Sequence, residues 1–85
     1  MTNSPIDTIR DGRLKATIWK NFGDSGNFYT VTLTRSYQDD AKAWHDSDSF
    51  SGSELLRIAR LASRAYDRTG ELRQADREAE QAATS

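Results

Sequence analysis

Trp19, Phe28, Lys15 and Arg13 have the side chains that recognise unpaired bases and phosphates. Indole and phenyl rings stack on any base, and Lys or Arg takes the phosphates beside it. Arg13, Lys15 and Trp19 are separated by even numbers of residues, so a strand through this stretch presents them on one face. A large aromatic on an open face has a second explanation, contact with another protein or a second copy. Both readings stay open at this level.

Two further groups invite a chemical reading. Arg57, Arg60, Arg64 and Arg68 step by three, four and four, which on a helix confines them to an arc of about 80°. Such a stripe suits phosphates or an acidic protein. It also suits an ordinary solvated helix face, here interrupted by Glu54 and Asp67. His45, Asp46, Asp48 and Ser49 contain the residue types of a metal site or a Ser/His/Asp triad. Strand alternation puts His45 on the face opposite both carboxylates, and no second His and no Cys is present. No catalytic residue, metal site, cofactor or small-molecule substrate is therefore expected, and the chain reads as a non-enzyme. The G-x-x-G of Phe22 to Asn27 lacks the helix start that a phosphate-binding loop needs.

These residues need a scaffold, and 85 residues allow one domain with a thin core. Dimerisation is the natural remedy for so small a core. With no cysteine, disulfides, thiolate catalysis and Cys-ligated metals are excluded. No apolar run exceeds two residues, which argues against a membrane span or a signal peptide and makes the cytoplasm the default expectation. Net charge is −1, so nucleic-acid affinity would have to come from local patches.

Alternation predicts the strands. Ile6 to Arg10 precedes Asp11-Gly12, a dipeptide suited to a hairpin turn. Arg13 to Asn21 sends Leu14, Ala16 and Ile18 to one face, and Phe28 to Tyr37 sends Tyr29, Val31, Leu33 and Tyr37 to one face. Between them Phe22 to Asn27 reads as a loop. Simple closure pairs Asn21 with Phe28, Trp19 with Thr30, Thr17 with Thr32 and Lys15 with Thr34. After a turn over Gln38 to Lys42, Ala43 to Phe50 is a fourth strand, in which Tyr37 facing Trp44 would set Arg35 opposite Asp46. His45, Ser47 and Ser49 would then share the outer face with Trp19.

Ser51 to Tyr66 carries the start signals of a helix: Ser51 with Glu54 as a capping box, and Phe50 with Leu55 as a hydrophobic staple. Leu55, Ile58, Ala59, Ala62 and Tyr66 form its expected buried stripe, flanked by Leu61 and Ala65. Leu55→Asp or Ile58→Asp should accordingly unfold the domain. Thr69-Gly70 is the expected end. Residues 1–68 then form the domain, and 69–85 a polar, frayed or disordered tail.

The strings LKATIWKNFGDSGNFYTVTLTRSY, WHDSDSF and ELLRIARLASRAY together resemble a family of short, mostly uncharacterised bacterial proteins, over residues 6 to 68. That resemblance implies no particular activity. By topology alone, several strands followed by one helix is similar to half of the positive-cofactor-four and Whirly type of binder. This second resemblance implies a dimer that holds single-stranded nucleic acid. The chain departs from such binders in offering only Arg13 and Lys15 as firm cations on its sheet.

The sequence thus predicts an α+β domain: an antiparallel meander of three or four strands followed by one amphipathic helix on one sheet face. The expected function is nucleic-acid binding, single-stranded by preference, through Trp19, Phe28, Lys15 and Arg13, with Arg57, Arg60, Arg64 and Arg68 as a secondary basic stripe. A homodimer is the expected assembly. The alternative is a protein-interaction or regulatory module that uses the same face.

Overall fold

A computed structural model describes residues 4–84. Residues 1–3 and Ser85, which the expected domain and tail include, lie outside the described residues. Four strands, β1 (Asp7–Asp11), β2 (Leu14–Gly23), β3 (Gly26–Gln38) and β4 (Trp44–Ser47), follow one another in an antiparallel sheet of order β1-β2-β3-β4. A short 3-10 turn, Gly52–Glu54, leads into one helix, α1 (Leu55–Thr84), packed on one face of the sheet. The architecture is α+β, as the patterning predicts.

The first hairpin turn is shifted by one residue and the second is tighter than expected. Asp11 pairs with Leu14, so the first turn is Gly12-Arg13, one residue later than the Asp11-Gly12 reading. Gly12 has φ +62 and Arg13 does not share that sign. Glycine in the first central position, followed by an ordinary residue, is the type II′ pattern that matches strand twist. The loop expected over Phe22 to Asn27 contracts to Asp24-Ser25, because Gly23 pairs with Gly26. Every expected β2–β3 pairing, from Lys15 with Thr34 to Asn21 with Phe28, is present.

β4 differs. It spans Trp44–Ser47 only, and Tyr37 pairs with His45 while Arg35 pairs with Ser47. This is one residue away from the expected register, and a one-residue slip exchanges the faces of a strand. Trp44 and Asp46 therefore lie on the Trp19 side of the sheet, and His45 and Ser47 on the helix side. In this register Lys15 Nζ reaches Asp46 Oδ2 at 3.1 Å. Arg35, expected to pair with Asp46, instead donates to the Ser49 carbonyl at 3.3 Å and lies 3.6 Å from Glu54 Oε1.

The helix begins where expected. Glu54 Oε1 accepts from the Ser51 backbone N–H and from its hydroxyl, each at 2.9 Å. The line that α1 buries is another matter. Leu61 and Ala65 are buried, with Ile58 and Leu72 half-buried, whereas Leu55 is 56% exposed and Tyr66 is 73% exposed. The helix is thus rotated from the expected stripe by about 90° towards its arginines. In this orientation the inward-facing Asp7 and Asp11 of β1 hold Arg68 at 2.8 Å and Arg57 at 3.0 Å. The expectation that Leu55→Asp unfolds the chain falls with that rotation.

Nor does α1 stop at Thr69-Gly70. It runs on to Thr84, 30 residues in all. The boundary expected at residue 68 falls inside the helix. Glycine within a helix costs about 1 kcal/mol, and here contacts on both sides of Gly70 offset it. Arg68 binds Asp7 before it. After it, Asp76 accepts from the Tyr29 hydroxyl and sits 3.3 Å from Lys20 Nζ. The fully buried core is small: Leu14, Ala16 and Ile18 from β2, with Leu61 and Ala65 from α1.

Candidate nucleic-acid interface

α1 covers one face of the sheet, and among the described residues no element covers the other. The even-numbered residues of β1 and β3 and the odd-numbered ones of β2 build that open face. Thr8 and Arg10 come from β1, and Lys15, Thr17, Trp19 and Asn21 from β2. β3 adds Phe28, Thr30, Thr32, Thr34 and Ser36, and β4 adds Trp44 and Asp46. Alternation alone carries these side chains outward, since their neighbours Leu14, Ala16 and Ile18 point into the core.

Three aromatic rings lie on this face. The Trp19 indole N–H donates to Thr32 Oγ1 at 3.0 Å, which fixes the ring against the threonine lane while leaving it partly exposed. Next to it Asn21 donates to Thr30 Oγ1 at 3.0 Å, and Phe28 is 51% exposed. Trp44, 61% exposed, stands at the other end. From the Thr30 level beside Trp19 to the Gln38 level beside Trp44 is eight strand residues, about 26 Å. The Thr34 hydroxyl, between the two ends, has no hydrogen-bond partner among the described residues.

The cations gather at the Trp44 end. Arg10, Arg13, Lys15, Ser36, Trp44 and Asp46 line a shallow cleft of about 500 Å³. Lys15 is tied to Asp46, whose carboxyl is held below its usual range first by that hydrogen bond. Ser36 also donates to Asp46, at 3.2 Å. Among the described residues neither Arg10 nor Arg13 makes a direct ion pair, although the charge of Arg10 also acts on Asp46. The structure thus brings the expected Arg13 and Lys15 together, joins Lys15 to Trp19 through a second hollow of about 340 Å³ that Arg10 also lines, and leaves Phe28 farther along the sheet.

Trp44 and Arg10 are the residues that sequence reasoning missed. Trp44 was on the wrong face because of the β4 register. A signal for it existed, since Asp46 has a natural partner in Lys15 once Arg35 is given to Glu54.

The arginine stripe has a different fate. Arg57 donates to both carboxylate oxygens of Asp11, at 3.0 and 3.2 Å, and Arg68 donates to Asp7 and to Glu71. The Asp7 and Asp11 carboxyls are held low, first by these hydrogen bonds. Two of the four arginines therefore clamp the helix to β1. Arg60 and Arg64 remain near Asp11.

His45 packs against Tyr37, ring centroids 5.3 Å apart, and its Nε2 lies 2.7 Å from Asp39 Oδ2. Asp39 also accepts from the Ala43 N–H, so the pair braces the turn before β4. Among the described residues, no three His, Cys, Asp or Glu side chains gather as metal ligands would. No helix among them is long and apolar enough to cross a membrane.

No protein-family model, curated protein or solved structure matches this chain. Its function must therefore be read from its own geometry. That geometry offers an uncovered platform, ringed at one end and basic at the other.

Proposed function

We propose that this domain is a non-enzymatic binder of single-stranded nucleic acid, working in the cytoplasm through its open sheet face. One observation carries the reading: Trp19, Phe28 and Trp44 share that face with Arg10, Arg13 and Lys15, while the acidic residues of β1 point away from it. The chemistry follows from the layout. Bases stack on Trp19 and Phe28 at one end and on Trp44 at the other, and the sugar-phosphate chain runs along the threonine lane between them. Hydroxyls of Thr30 and Thr32 offer donors and acceptors without imposing sequence, and Arg10 and Arg13 take phosphates beside Trp44. A single strand fits better than a duplex, whose stacked bases would not reach the rings.

The Lys15–Asp46 pair favours a second reading, since it leaves few free cations for phosphates. In that reading the open face is the contact of a protein-interaction module.

Titration with single-stranded DNA, followed by tryptophan fluorescence at two salt concentrations, separates the two. The first reading expects saturable quenching whose affinity falls with salt, with a log–log slope of about −1.4 for two phosphate contacts on a single strand. Absence of binding at low salt would leave only the second reading.

A further inference from the structure

We infer that the chain self-associates through the edge of β3 and the adjacent flank of α1, so that two copies form one continuous sheet with their helices side by side. This is a different surface from the open face, and it stands or falls separately from the proposed function.

The edge comes first. β4 pairs only with Arg35 to Gln38, so residues 26–34 of β3 have β2 on one side and no described strand on the other. The direction of their backbone groups follows from the ladder. The Ile18 carbonyl accepts from the Ile6 N–H at 2.9 Å, so Ile18 turns its backbone towards the β1 side. Its partner Val31 therefore turns its own N–H and C=O outward, and Tyr29 and Leu33 do the same. A row of such groups is a template for another strand. Neither a proline nor a bulge blocks it.

The second observation is apolar. Leu55, Ala59, Ala62 and Tyr66 recur at spacings of four, three and four, the pattern of a helix face that packs on another helix. The chain does not bury them: Leu55 and Tyr66 are mostly exposed, and Ala59 and Ala62 are also exposed. Ala62 and Tyr66 line a groove with Val31 and Leu33, directly beside the open edge. The hydrophobic pattern in the sequence is thus twice as wide as the line the monomer uses.

Area identifies the occupant as a second copy. The chain exposes 6440 Å². A folded monomer of this mass should expose about 5100 Å², so the excess is about 1300 Å², more than the ~800 Å² that each partner buries in a stable interface. The radius of gyration, 15.9 Å, exceeds the ~12 Å of a compact chain of this length because the molecule is elongated, 57 × 31 × 18 Å. A two-fold axis through the middle of residues 26–34 pairs β3 with β3 antiparallel, and the same rotation brings the two α1 flanks together. One operation satisfies both unpartnered features.

Sedimentation equilibrium and amide hydrogen exchange test this. The expected result is a dimer of twice 9.6 kDa, with protection at Tyr29, Val31 and Leu33 that rises with protein concentration. Tyr66→Glu changes a side chain that is exposed in the single chain, and Val31→Pro removes an outward N–H together with one apolar wall of the groove. Each should raise the dissociation constant more than about tenfold while keeping the circular-dichroism spectrum, and Trp19→Ala should leave the dimer intact. A monomer at about 100 μM with freely exchanging β3 amides would overturn the inference and leave the groove to a different protein. A dimer indifferent to both variants but dissociated by Trp19→Asp would overturn it too, by placing the contact on the open sheet face.

Discussion

The two faces of β2 come from one stretch of chain and have opposite fates. Leu14, Ala16 and Ile18 are sealed under α1, whereas Lys15, Thr17, Trp19 and Asn21, one residue out of phase, face away from the helix. The covered face has the small and branched side chains that close packing requires, edged by the Asp7–Arg68 and Asp11–Arg57 clamps. The open face has rings, hydroxyls and guanidinium groups. A side chain as large as Trp19 would add substantially to so small a core if it pointed inward. Its outward placement, held by a bond to Thr32, is what the proposed contact surface rests on.

Breaking the covered face should have the largest effect. Ile18→Asp or Leu61→Asp puts an unpaired charge into a core of five buried residues, and the cooperative thermal transition should disappear. Leu61→Ala should cost about 2–5 kcal/mol, read from urea unfolding. A folded, cooperatively melting Ile18→Asp variant would mean that the core lies elsewhere.

Changes on the open face should separate binding from folding. Trp19→Ala and Trp44→Ala should retain the melting transition and each weaken single-stranded DNA by about 1–3 kcal/mol, or roughly 5- to 150-fold. If affinity were unchanged in both, the rings would not be stacking platforms.

The turn that joins the two faces gives a smaller effect. Gly12→Ala places a β-carbon at φ +62 and 2.7 Å from Arg57 Nη2, the movable end of a flexible side chain. Backbone strain of about 1–2 kcal/mol should therefore dominate the loss, measurable by urea unfolding. Arg57→Ala, which removes the neighbour, should not rescue it.

The clamps should show the smallest effect, because they are exposed. Asp7 and Asp11 have folded-state pKa values below their ordinary ones, owing first to the hydrogen bonds from Arg68 and Arg57. Such groups stabilise the fold above the ordinary Asp value of about 3.9 and lose that contribution as pH falls through the lower folded value. The melting temperature should drop modestly between about pH 5 and pH 2, and less in the Asp7→Asn, Asp11→Asn double variant. An equal drop in that variant would remove the clamps from the account of acid stability.

Much of this was legible in the chain. The β2–β3 pairing follows from alternation on both strands, because a one-residue slip would part Val31 and Leu33 from Leu14 and Ile18, and the short turn between the strands selects among the even shifts. The helix start follows from Ser51 and Glu54. What local reading missed has long-range causes. The β4 register sets Asp46 beside Lys15, 31 positions away in the chain, and turns Trp44 to the open face. The rotation of α1 brings Arg57 and Arg68 to aspartates in β1, and its passage through Gly70 carries Asp76 to Lys20 and Tyr29.

By itself, then, the sequence determined the class of fold, the long hairpin, the open face with Trp19 and Phe28, and the point where the helix begins. Each is a local consequence of side-chain period or of a cap within a few residues. Only the tertiary structure decided which arginines are consumed as clamps, which side of β4 looks outward, and which half of the helix's apolar stripe remains uncovered. These are outcomes of competition between charges and surfaces far apart in the chain, and periodicity, which repeats identically along an element, cannot rank them.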